Sequence, residues 1–247
     1  VLDPDPASAS QNLGFCGRIP MATNKKPGNW KKRTLAVRGG QTRTSLQETC
    51  EPLIMTAGYA YEEAGEAEAR FKGAPGFQYS RIANPTVTMF EQRMAALEGA
   101  AVGRATATGM AAVSAVFLAG LKAGDHVVSA NALFGSCRYV IEGILPRFGV
   151  TSTFVDGADL SAWAAAIKPE TRLLFVETPS NPTLAIVDIA AVAKIAEKAG
   201  ARLIVDNAFA TPALQQPVAL GAHIVVHSST KFIDGQGRAR GGMILCR

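Results

Sequence analysis

From about residue 86, two hydrophobic periods alternate along the chain. Val87, Phe90, Met94 and Leu97 recur at spacings of three and four, which places them on one face of a helix; Thr86 stands before it as a capping hydroxyl and Gly99 behind it as a stop. Beyond it, short β-rich runs alternate with helical ones. The predicted strands are AVGRATAT (101–108), HVVSA (126–130), TSTFVD (151–156), RLLFVET (172–178), RLIVDNA (202–208) and AHIVVHSS (222–229). Helices with an apolar face are predicted at 110–121, 136–147, 159–167 and 188–199, the last opened by Asp188 and stopped by Gly200.

Strands that are apolar on both faces and separated by helices predict an α/β fold: a mainly parallel sheet, covered by helices on both faces and joined by right-handed crossovers. Ligands on such sheets bind at the carboxyl ends of the strands. Four polar clusters fall there: TGM at 108–110, ETPSN at 177–181, DN at 206–207 and SSTK at 228–231. The chain stops at MILCR, inside what reads as another strand, so the expectation is a fragment of a longer protein.

Upstream of residue 86 the periodicity is lost. Residues 1–34 are rich in Pro, Ser, Asn and Lys and read as a flexible basic extension, with Met21 as the natural start and residues 1–20 as upstream sequence. Residues 35–80 are a second irregular stretch, and the region 35–85 reads as an arm that docks on something, leaving 86–247 as the ordered α/β domain.

Composition narrows the class. With 48% hydrophobic and 18% charged residues the 247-residue chain is that of a soluble globular protein, and no run of 18 apolar residues exists to span a bilayer. The net charge of +5 lies wholly in residues 1–40, with seven bases against two acids, while residues 41–247 hold 18 of each sign. A short basic lead-in reads as a solvated tail, not a phosphate-binding face, so neither nucleic acid nor membrane is an expected partner. Cys16, Cys50, Cys137 and Cys246 lie far apart with no CxxC, which suits a reducing cytoplasm and indicates neither a disulfide scaffold nor a zinc site. His223 and His227 sit in a strand-like run as core or hydrogen-bonded residues.

Lys231 follows HIVVHSST and so stands at a strand end beside hydroxyls. Taken alone it reads as an ordinary exposed lysine, and Asp206, at the end of RLIVD, as a turn or cap residue. Together they suggest more. A partly desolvated lysine is a nucleophile toward carbonyls, and Ser228 and Thr230 offer hydroxyls for phosphate oxygens. Asp206 closes the preceding strand unit, 25 residues earlier. Pyridoxal phosphate requires such a pair: a lysine for its aldehyde and an acid opposite its ring nitrogen. Gly109, between strand and helix, would let free backbone amides cradle a phosphate. Ser228 to Lys231 also matches the S-x-x-K of serine acylases, but SDN and KTG are absent.

In order, YSRIANPT (79–86), ATGMAA (107–112), ETPSNPT (177–183), VDNAFATP (205–212) and HSSTKFIDGQG (227–237) resemble the Cys/Met-metabolism family of pyridoxal-phosphate enzymes, over roughly residues 35–247. The resemblance implies the large domain of an aspartate-aminotransferase-like fold. It implies that Lys231 is the Schiff-base lysine, Asp206 the partner of the pyridine nitrogen, and Gly109, Met110, Ser228 and Thr230 the phosphate cup. Glu177 and Asn181 would lie near the ring's polar edge, and Tyr79 and Arg81 would reach the phosphate of a neighbouring subunit, so self-association to a dimer of active dimers is implied. Where the family commonly has Tyr-Gly, this chain has Phe134-Gly135; a phenylalanine stacks but donates no proton. The arginine that grips the substrate carboxylate in the family lies in the third of its chain that follows this point. LFGSCRYV and DGQGRARGG look most like the direct-sulfhydrylation branch, implying γ-replacement on O-succinylhomoserine by sulfide to give homocysteine and succinate. The cystathionine γ-synthase, O-acetylhomoserine sulfhydrylase and methionine γ-lyase activities stay open as alternatives, as does an inactive fragment serving only as a structural or interaction module.

Overall fold

A computed structural model describes residues 29–247; the expectations for residues 1–28 lie outside the described residues. Helix α1 (Lys32–Arg38) and helix α2 (Ala64–Phe71) interrupt the stretch expected to be irregular, and α1 begins inside the expected extension. Neither helix buries a residue, which is why no apolar stripe announced them. Helix α3 (Pro85–Glu98) follows, and its start corrects the sequence reading. Its cap is Asn84, not Thr86: the Asn84 side chain accepts from the Thr86 amide at 2.9 Å. Pro85 holds Asn84 in the extended conformation a cap needs and itself occupies the first turn, where a missing N–H costs nothing. The Thr86 hydroxyl instead donates to the Pro52 carbonyl at 2.8 Å and accepts from the Ile54 amide at 2.9 Å, tying the arm to α3.

The body alternates as expected: β1 (Val102–Thr106), α4 (Gly109–Gly120), β2 (His126–Ala130), α5 (Gly135–Tyr139), β3 (Thr151–Val155), α6 (Leu160–Ala165), β4 (Thr171–Glu177), α7 (Ile189–Lys198), β5 (Arg202–Asp206), α8 (Thr211–Leu214), β6 (Ile224–Ser228) and β7 (Gly242–Cys246). The helix expected over 136–147 is broken into α5, a π turn over Val140–Ile144 and a 3-10 turn over Leu145–Phe148, with Pro146 in the last.

The strands form one sheet in the order β1-β7-β6-β5-β4-β2-β3. All are parallel except β7, which runs antiparallel to both β1 and β6 and lies between them. Strands β2 and β4 are buried almost throughout, as strands covered on both faces must be. Phe117 of α4 packs on Phe175 of β4 with ring centroids 5.2 Å apart, in a core to which β2 through β7 contribute and against which Ala105 of β1 packs. Among the described residues no helix is long and apolar enough to cross a membrane, and no group of three or more His, Cys, Asp or Glu is placed to hold a metal ion.

Candidate active site

Because β4, β5, β6 and β1 are parallel, their carboxyl ends meet along one edge of the sheet and open a cavity of about 410 Å³. Eight of the expected site residues line it: Gly109, Met110, Phe134, Glu177, Asn181, Asp206, Ser228 and Lys231. Glu177 and Asp206 are register partners at the ends of β4 and β5, and Ser228 ends β6.

The fit between α4 and β6 is close. A Cβ at Gly109 would stand 2.6 Å from the Ser228 Cβ, so only glycine lets the two elements meet. Thr108 caps α4 by accepting from the Ala111 amide at 3.0 Å, and the helix's first residues, Gly109 and Met110, line the cavity with amides that have no carbonyl partner inside the helix.

Lys231 lies in the turn after β6, where its amide donates to the Ser228 carbonyl at 3.2 Å and its own carbonyl accepts from Gly235. It is exposed in this chain. Asp206 accepts from the Ala208 amide at 3.0 Å and has the Cys137 thiol 4.0 Å from its other oxygen. Burial pushes its carboxyl up, opposed by the Ala208 N–H and by the attraction of His227. Glu177 accepts from the Phe134 amide and, at 3.0 Å, from the Asn181 amide, fastening both of those residues to the cavity wall. Burial, with the charge of Asp206 adding to it, pushes Glu177 up to about 7 against those two hydrogen bonds. Cys137 is raised by burial and by the same two carboxyls.

Three expected residues are not brought to this cavity. The Thr230 hydroxyl both accepts from the Gly241 amide at 3.1 Å and lies 3.3 Å from its carbonyl, pinning the 229–241 loop to the start of β7. Tyr79 and Arg81 are exposed on the arm and stack on each other, guanidinium to ring centroid 5.5 Å. The wall also contains residues the sequence reading passed over. Cys137 is three residues from Phe134 on the same helical turn, and that spacing was the signal. Phe209 and Phe232, ring centroids 5.7 Å apart, directly follow DNA and STK and flank the mouth.

An open, mainly parallel sheet with a lysine and a half-buried acid sharing the crevice at its carboxyl edge is the arrangement of an α/β enzyme domain that holds an aldehyde cofactor. The sequence profile of the family described as Cys/Met metabolism PLP-dependent enzyme matches residues 33–247, and the chain belongs to that family. It is 51% identical over 220 residues to an O-succinylhomoserine sulfhydrylase of Mycobacterium tuberculosis, covering 89% of this chain and 54% of the relative. It is 52% identical over 215 residues to one of Pseudomonas aeruginosa, covering 87% of this chain and 53% of the relative. A Campylobacter jejuni structure, assigned as an O-acetylhomoserine (thiol)-lyase and solved with N'-pyridoxyl-lysine-5'-monophosphate, superposes with a TM-score of 0.85 at 36% identity over 89% of this chain and 55% of that one. The chain thus spans about half the length of the curated relatives it matches.

The family's cofactor is pyridoxal phosphate, and the residues present fit it. Asp206 is a half-buried carboxyl on the cavity wall that accepts one N–H and has a thiol 4.0 Å away, so a pyridinium N–H in the cavity supplies an opposite charge to it. The Gly109–Ser228 approach leaves the first amides of α4 bare beside a hydroxyl, which suits a phosphate. Lys231 shares the same cavity and carries the amine.

Proposed function

We propose that the protein to which this chain belongs catalyses γ-replacement on O-succinylhomoserine, with sulfide as the nucleophile and homocysteine and succinate as products. The observation that carries this reading is the single cavity shared by Lys231, Asp206 and Phe134, in a chain whose relatives at 51–52% identity are O-succinylhomoserine sulfhydrylases.

Bound pyridoxal phosphate supplies an electron sink that acidifies the substrate's α-proton. Lys231, whose amine lines the cavity, would hold the aldehyde carbon of that group, and its free amine would serve as the base that takes the α-proton and moves it within the cavity. The Asp206 carboxylate would hold the ring N–H; any ion pair at about 4 Å with an effective dielectric near 20 is worth roughly 4 kcal/mol, enough to keep such a nitrogen protonated at neutral pH. Gly109, Met110 and Ser228 hold the phosphate, and Asn181, fixed by Glu177, orients the ring's polar edge. Phe134 stacks without donating a proton, which suits a leaving group that departs as a carboxylate. The arm, residues 35–85, docks on a neighbouring subunit and carries Tyr79 and Arg81 to that subunit's phosphate; their exposure and separation from this chain's own cavity support this. Cys50 and Cys137, present as thiols, suit a reducing cytoplasm.

Borohydride reduction followed by peptide mass mapping tests the site. A pyridoxyl adduct on Lys231 is expected, and an unmodified lysine overturns the reading in favour of a structural module. Turnover of the full-length protein with sulfide against cysteine, and with the succinyl against the acetyl ester, tests the substrates; activity with cysteine alone overturns the sulfhydrylase assignment.

A further inference from the structure

Glu98 closes α3, takes no part in the cavity, and is fully buried. Its Oε2 lies 3.1 Å from Nε2 of the fully buried His227 and 3.5 Å from Nδ2 of Asn207. His227 precedes the cavity residue Ser228 on β6, and Asn207 follows the cavity residue Asp206 at the end of β5. Successive residues of a strand point to opposite faces, so Glu98 meets from behind the two strand ends whose front faces carry Asp206 and Ser228. Among the described residues, Glu98 Oε1 and His227 Nδ1 have no hydrogen-bond partner. A buried acid and imidazole with an orphan atom each are a poor way to stabilise a core, and apolar side chains of the same size pack there at lower cost.

We propose that Glu98 and His227 form a positioning pair that, from the rear of the sheet, keeps Asp206 ionised for a ring nitrogen bound in front. The inference rests on the reading of Asp206 as that nitrogen's partner. On the front face Asp206 has Glu177, Cys137 and Lys231 for company, and the first two share its burial. His227 is the group behind it, and its attraction works against the desolvation that favours a neutral Asp206. Glu98, in turn, holds the imidazole through the 3.1 Å contact and so fixes the group that stands behind Asp206.

The test loads the chain with pyridoxal phosphate labelled with ¹⁵N in the ring and reads the nitrogen's chemical shift, which separates protonated from unprotonated pyridine. E98Q keeps the shape, and H227Q keeps a hydrogen-bonding group in place of the ring nitrogen; in both, the resonance is expected to move toward the unprotonated position, as is expected in D206N. If D206N shifts the resonance and neither E98Q nor H227Q does, the pair is overturned and the site reading survives. No shift in D206N, or no uptake of cofactor by the unaltered chain, overturns both. Should the variants fail to fold, the unaltered chain still decides: it has three histidines, so the His227 imidazole can be assigned, and its ¹⁵N resonances are expected to move when cofactor is added. Resonances that stay in place overturn the pair.

Discussion

The arm and the α/β body treat apolar side chains in opposite ways. In the body, Phe117, Phe175, Leu174, Val176 and Trp163 are all fully buried, and the strands supply a continuous core. In the arm, α1 and α2 bury nothing, while Leu53 is 76% and Met55 86% exposed. What holds the arm is polar: Thr86 and Asn84 to the backbone at 52–54, Arg93 to the Gly39 carbonyl at 2.8 Å and to Glu51, and Lys32 to the Pro212 carbonyl at 3.0 Å. The body is therefore stabilised by area removed from water, and the arm is located by hydrogen bonds while many of its apolar groups, Leu53 and Met55 among them, face outward. The candidate site lies in the body.

Four outcomes would break or sharpen that contrast. The largest is all-or-none: Lys231→Ala removes the amine from the cavity, and the borohydride adduct found by mass mapping is expected to vanish while the far-ultraviolet circular dichroism of the sheet is kept. An adduct that persists elsewhere would move the chemistry out of the site described. Next, Phe175→Ala deletes a ring at the centre of the core and is expected to cost about 3–5 kcal/mol in urea unfolding. A cost near that of an arm substitution would mean that the body does not depend on its core.

The third concerns pH. Glu177, at about 7 in the folded chain against 4.5 unfolded, keeps a proton that the unfolded chain has already lost between those values. Its contribution to stability therefore falls as pH rises across that window, by about 3 kcal/mol in full. In E177Q this dependence is gone, so the variant's stability relative to the parent should climb from pH 4.5 to 7 and then level off. The arm's Glu51 runs the other way, since its hydrogen bond from Arg93 holds its carboxyl down, and stabilisation from that contact is lost as pH falls. The smallest effect is in the arm: Leu53→Ser with Met55→Ser is expected to change unfolding free energy by no more than about 0.5 kcal/mol, while light scattering shows weaker self-association. A loss of several kcal/mol would place these side chains in a core after all.

Much of the body was legible because burial leaves a period. The strand runs and the helix faces were read within a residue or two, and they put Asp206 and Lys231 at strand ends before any coordinates. Where local chemistry offered two answers, the reading erred. Thr86 and Asn84 are both good caps, and the choice was made by Pro85 and by the Pro52 and Ile54 backbone that claimed the threonine. The broken helix after Phe134 kept its apolar face through a π turn, so its pattern concealed the break.

What the sequence determined by itself is which segments bury a face and which residues end a strand, because both are set by neighbours a few positions away. The tertiary structure alone decided that β7 runs antiparallel between β1 and β6, that Cys137 lies beside Asp206, and that Glu98 reaches His227 from 129 residues away. Such contacts depend on how layers stack and which helix covers which face, and a periodic pattern records that a face is covered without recording by what.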